Sequence, residues 1–119
     1  MSKGRTMILL TYKIGEHVNP EEYEEWLRST DNPFFNSVPG VKRYANWKVI
    51  DEMVGFVGFT HYDLLEIEDS SSWKKVWNNS ELQKFASAWT ERWSVHGAGP
   101  EHVGLNYQVL LAEEIAAPS

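Results

Sequence analysis

The chain reads as a succession of apolar-patterned segments separated by turn-forming residues. Met7 to Ile14 is a short run of aliphatic and aromatic residues stopped by Gly15, which predicts a first strand covered on both faces. Asn19-Pro20-Glu21-Glu22 then supplies a capping side chain, a proline at the first helical position and acids where the helix dipole favours them. In the helix that follows, Tyr23, Trp26 and Leu27 share one face and Glu24, Glu25 and Arg28 the other. Its end is predicted near Asp31, because Asn32 precedes Pro33 and a residue before proline avoids helical geometry. Phe34 and Phe35 are then expected in a loop turned by Pro39-Gly40.

Val41 to Ile50 alternates Val41, Arg43, Ala45, Trp47 and Val49 against Lys42, Tyr44, Asn46 and Lys48, a second strand. A turn at Asp51-Glu52 and a third strand from about Phe56 to Ile67, with Gly55 and Gly58 marking a bulge or bend, complete a hairpin. Asp69-Ser70-Ser71-Ser72 offers N-caps before Trp73, Val76 and Trp77. A second helical piece carries Leu82, Phe85, Ala86, Trp89 and Trp93 on one face, with a break expected at Asn78-Asn79. His96 to Pro100 reads as a loop, Val103 to Ala112 as the last strand, and Ala116 to Ser119 as a tail.

Strand, helix, strand, strand, helix, strand is the ferredoxin-like split βαβ order, an α+β fold with helices over one face of a four-stranded antiparallel sheet. The 119 residues are expected to form a single domain with an ordered core of about 6–113. Strands one, three and four carry apolar residues at both parities, so the face without helices must be buried too. A homodimer packing sheet to sheet, a dimeric α/β barrel, would bury it.

Composition narrows the function. A formal net charge of −6 speaks against nucleic-acid partners, which are bound by neutralising phosphates. No apolar run reaches membrane-spanning length and the start carries no secretory pattern, so a cytoplasmic protein with no membrane partner is expected. Cysteine is absent, which removes disulfides and thiolate chemistry. Four histidines, His17, His61, His96 and His102, are scattered without metal-ligand spacing, so no metal is expected. Neither a glycine-rich phosphate loop nor a G-x-S-x-G elbow occurs, and no cofactor is expected.

What remains is an aromatic surplus: six Trp, five Tyr and five Phe. Any one indole at helical spacing is ordinary core. Trp73, Trp77 and Trp89 together with Trp26, Phe34, Trp47 and Tyr62 are nevertheless numerous enough to read as the wall of a pocket for a flat aromatic ligand. His61, inside a strand beside Tyr62 and Asp63, is either a satisfied core or interface imidazole or a general acid or base. Asp31 either anchors the turn at Asn32-Pro33 through its side chain or places a carboxylate at the pocket mouth.

Tyr23-Glu24-Glu25-Trp26-Leu27-Arg28-Ser29-Thr30-Asp31-Asn32-Pro33, followed by Val38-Pro39-Gly40-Val41, resembles the dimeric α/β-barrel superfamily. More narrowly, with Tyr62-Asp63-Leu64-Leu65-Glu66-Ile67 as a tyrosine-acid strand before the second helix, it is similar to the RedY-like (HapK) proteins of prodiginine and bisindole biosynthesis. Of the candidate site residues, only Trp26 and Asp31 are carried over by matching position. The resemblance implies a cofactor-independent protein of specialised metabolism that binds an indole- or pyrrole-type intermediate and directs its cyclisation. A non-catalytic carrier of such a small aromatic metabolite, or a monooxygenase of the same fold, are the alternatives.

Overall fold

In the computed structural model, which describes residues 4–15, 18–56, 58–93 and 105–118, the first strand β1 is Thr6–Lys13. Helix α1 (Pro20–Trp26), a π-helical turn (Leu27–Asp31) and helix α2 (Asn32–Asn36) come next. Strands β2 (Val41–Lys48) and β3 (His61–Ile67) precede a 3-10 turn (Ser70–Ser72), helices α3 (Trp73–Trp77) and α4 (Ser80–Trp93), and strand β4 (Leu105–Glu113). All pairings are antiparallel in the order β2-β3-β1-β4, the expected ferredoxin-like α+β sheet. His17, the segment His96 to Pro100, His102 and Val103 lie outside the described residues.

Local chemistry places several boundaries as expected. The Asn19 side chain accepts from the Glu21 and Glu22 amides, and Pro20 opens α1. The helical break at Asn78-Asn79 is present, with Asn79 Oδ1 accepting from the Glu81 and Leu82 amides to cap α4. Pro39-Gly40 forms the turn into β2, closed by Val41 N–H donating to the Val38 carbonyl at 3.1 Å. Gly40 sits there at φ +92°, and a Cβ would fall 2.9 Å from Val76 Cγ2, so both conformation and space require glycine.

Two expectations fail for identifiable reasons. The helical path does not stop near Asp31, and Phe34 and Phe35 are helical. The π turn resolves the conflict: Asn32 N–H bonds the Leu27 carbonyl five residues back, so Pro33 falls in the first turn of a new helical segment, where its missing N–H costs nothing. The third strand starts at His61 rather than near Phe56. Gly55 and Gly58 both take φ +75°, a conformation that interrupts a strand, and the ladder resumes only where Val49 N–H donates to the Thr60 carbonyl and Thr60 N–H to that of Tyr12.

The period of two along the sheet builds the interior. Ile8, Leu10 and Tyr12 of β1, Tyr44 of β2, and Leu65 and Ile67 of β3 face the helices and are buried. Phe35, Val38, Val76 and Leu82 close one apolar cluster over them; Val18, Tyr23, Leu27 and Trp93 gather round Tyr12 in a second. The same inward row also carries Asn46, His61 and Asp63, polar side chains on a core face. The opposite row presents Trp47, Tyr62, Leu64, Leu9 and Leu110 on the face without helices.

Candidate functional site

The inward polar residues meet the end of the first helical stretch. Asp31, last residue of the π turn, is buried, and its Oδ2 accepts from Tyr44 O–H at 2.7 Å and Asn46 Nδ2 at 2.9 Å. The same Asn46 nitrogen donates to Asp63 Oδ1 at 2.8 Å, so one amide bridges two buried carboxyl groups. Asn46 pairs directly with Asp63 across the β2–β3 ladder, which fixes the bridge in backbone register. Burial raises the Asp31 carboxyl to about 6 despite the hydrogen bonds that oppose it. Burial, joined by the charge of Asp31, raises Asp63 further, to about 8. Two carboxyl groups placed so close do not both ionise readily, and the pair retains a proton near neutrality.

In front of this pair lies a cleft of about 440 Å³, within the range that small-molecule sites occupy. Its walls are Glu24, Leu27 and Arg28 from the first helical stretch, Asn32, the β2 edge from Ala45 to Lys48, and His61. Asp31 and Asp63 do not line it; Asn46 does, and Asn46 Oδ1 accepts from Asn32 Nδ2 at 3.1 Å. The acids meet the cleft wall through Asn46, which they hold and which in turn bonds Asn32.

His61 opens β3 opposite Lys48. Its Nδ1 lies 2.9 Å from Thr60 Oγ1 and its Nε2 3.4 Å from Glu24 Oε2, while Glu24 Oε1 takes Lys48 Nζ at 3.2 Å. The Tyr12 ring stacks on the imidazole at 5.8 Å and the Tyr23 ring meets it edge-on at 5.6 Å. Burial lowers the histidine below its ordinary range, with Glu24 opposing, so the ring is neutral at pH 7.

Of the aromatic candidates, Trp47 reaches the cleft, although its ring stacks on Tyr62 at 6.1 Å on the face without helices. Trp26 and Phe34 sandwich Phe85, at 5.5 and 4.2 Å. Trp89 donates its indole N–H to Tyr23 Oη, which is 2.7 Å from Tyr12 Oη. Trp73 and Trp77 pack against the first apolar cluster. The structure thus brings His61 and Asp31 to one end of the sheet and uses most of the candidate indoles as packing around it.

Glu24, Asn32, Asn46, Lys48 and Asp63 did not stand out as site residues in the sequence. For Asp63 and Asn46 a signal existed: each shares strand parity with buried apolar neighbours, Leu65 and Tyr44, and a polar residue at an inward position needs a reason. Among the described residues, no three His, Cys, Asp or Glu side chains are grouped so as to hold a metal ion. No helix among them is long and apolar enough to cross a membrane.

The strand order, the single helical layer and the acid-backed cleft define a ferredoxin-like α+β domain with a small-molecule-sized site beneath its first helix. A family model described as REDY-like protein HapK matches residues 6–97, and the chain belongs to that family. The crystal structure of HapK from Hahella chejuensis superposes with a TM-score of 0.65 at 13% identity, covering 96% of each chain. An ethyl tert-butyl ether degradation (EthD) family protein from Bacillus halodurans gives 0.69 at 13% identity, covering 93% of this chain and 99% of that one. A dimeric ferredoxin-like protein of unknown function from Thermobifida fusca gives 0.59 at 9% identity, covering 93% and 92%. No curated protein matches the chain. At these identities the structural likeness establishes the shared fold.

Proposed function

We propose that the chain is a cofactor-independent cyclase acting on a small indole- or pyrrole-type metabolite, bound in the cleft between α1 and the β2 edge. The observation that carries this reading is the convergence at one cleft of His61, held at both ring nitrogens by Thr60 and Glu24, with the buried Asp31–Asp63 pair bridged by Asn46 behind it. Such a wall orients a ligand through Asn32 and Asn46 and offers titratable groups for one proton transfer, which is what ring closure of an aromatic precursor needs beyond correct placement. Membership of the HapK family supports specialised metabolism as the setting. Trp47 lines the cleft at the β2 edge while its ring lies against Tyr62 on the other face, and Trp26, Phe34 and Trp89 act from behind by holding α1 in position.

A homodimer fits this reading, because the cleft opens on the helix side of the sheet and leaves the other face available for a second copy. The test is to incubate indole- and pyrrole-type precursors with the purified protein and compare product distributions with protein-free controls. A cyclised product that forms faster with protein, and more slowly with His61→Ala plus Asp31→Ala, is expected. Unchanged products alongside saturable binding would replace catalysis with a carrier role, and oxygen consumption would replace it with oxygenation.

A further inference from the structure

His61 has little left to offer a ligand. The Glu24 carboxylate beside Nε2 can only accept, so the neutral ring accepts the Thr60 hydroxyl hydrogen at Nδ1, 2.9 Å away, while Thr60 Oγ1 itself accepts the Ile14 amide at 3.0 Å. That leaves the ring hydrogen on Nε2, facing Glu24 Oε2. Both nitrogens are engaged, Tyr12 and Tyr23 hold the plane of the ring, and His61 is only 4% exposed. Glu24 differs on each count. It stands in the cleft wall on α1, and its carboxylate has acceptor capacity beyond the two contacts, to Lys48 and His61, that aim it.

The geometry points to Glu24 as the catalytic base of the cleft, with His61 and Lys48 as the positioning residues that orient its carboxylate toward the ligand. This deepens the acid–base reading above and rests on it. In the step, a C–H or N–H proton of the bound aromatic passes to a Glu24 oxygen. The electron pair left behind forms the new ring bond to the carbon of a C=N, C=C or C=O group in the same ligand. The π pair of that group moves to its other atom, and that atom takes the proton back from Glu24. His61 Nε2–H and Lys48 Nζ–H stabilise the carboxylate beforehand. Arg28, which lines the same cleft and pairs with Glu25 at 3.4 Å, is the other charge near the ligand.

5-Nitrobenzisoxazole is a suitable probe, being flat and aromatic and opening to a coloured cyanophenolate when a base removes its C3 proton and the N–O bond breaks. The full chain is compared with Glu24→Gln and His61→Gln, with amide NMR of Asn32, Asn46 and His61 reporting occupancy of the cleft. The expected result is that Glu24→Gln loses about 100-fold in kcat with KM nearly unchanged. His61→Gln, which keeps a donor beside Glu24, is expected to lose no more than about tenfold. Turnover by Glu24→Gln at the parent rate overturns the assignment, as does a probe that binds in the cleft without being opened faster than by acetate; both leave the cleft as an aromatic site. A probe that shifts none of the three amides instead removes the aromatic cleft itself, and the base assignment falls with it.

Discussion

Asp31 and Asp63, from a helical turn and a central strand, are joined through a single amide: Asn46 Nδ2 lies 2.9 Å from one carboxylate and 2.8 Å from the other. Their raised affinity for protons makes folding pH-dependent with a defined sign. The unfolded chain releases these protons near pH 4, whereas the folded chain holds Asp31's to about 6 and Asp63's to about 8. Between these limits the native state binds more protons, so stability falls as pH rises. His61 acts oppositely but below its ordinary range, leaving Asp63 dominant above neutrality. Urea unfolding should show a loss of about 2 kcal/mol from about pH 6.5 to 8.5, and Asp63→Asn should remove most of it. A parent profile that is flat or rises over that window contradicts the pairing.

The bridge itself can be removed. Asn46→Leu keeps the branching at Cγ but leaves Asp63 without the N–H that its carboxylate accepts and deprives Asp31 of one of two donors. A cost of about 3–5 kcal/mol is expected at alkaline pH, where both carboxyls ionise. The cost should shrink at mildly acidic pH, where protonated carboxyls need no bridging amide. Equal losses at both pH values, read from chemical denaturation, would mean that the amide serves packing and not charge.

How much of this was legible beforehand differs by element. Strand order, the Asn19 cap and the Asn79 break follow from local rules that act within a few residues, and the structure keeps them. The continuation through Pro33 was not legible, because a π turn depends on what Asp31 gains by pointing inward to Tyr44, a partner 13 residues away. His61 and Asp31 were named from their types and places. Helical periodicity puts Glu24 on the face opposite Tyr23 and Trp26, and knows nothing of a strand edge that turns one side of that face into a cleft wall. The indoles misled in the other direction: their number suggested a ligand wall, whereas Trp26 and Trp89 spend their surfaces on Phe85 and Tyr23.

That packing role yields its own expectation. Phe85 lies between Phe34, parallel within 3° at 4.2 Å, and Trp26 at 5.5 Å. Phe85→Ala removes the middle ring of the stack and should cost about 2–4 kcal/mol, less than a fully buried phenylalanine because the site is half-buried. Thermal melts and tryptophan emission report it together, since Trp26 would gain solvent on one face. A change below about 0.5 kcal/mol would place the stack among surface contacts with no part in holding α1.

The face of the sheet without helices makes a separate demand. Trp47 and Leu110 are 46% and 52% exposed there, and Ile50, Met53, Val54 and Phe56, between β2 and β3, are each 85% exposed or more. So much apolar surface in a chain of net charge −6 is more than a stable monomer ordinarily shows. A twofold copy would bury Leu110 and Leu9, which pair across β1 and β4, against their equivalents. Sedimentation at micromolar concentration is therefore expected to give about 27 kDa, twice the 13.7 kDa chain. Leu110→Glu should shift it to the monomer, since a carboxylate at a self-complementary face meets its own image, with circular dichroism checking that the variant stays folded. Because the cleft lies on the other side of the sheet, ligand binding should survive in that variant. A parent chain that sediments as a monomer, or a Leu110→Glu variant that remains dimeric, would show that this face is not where two copies meet.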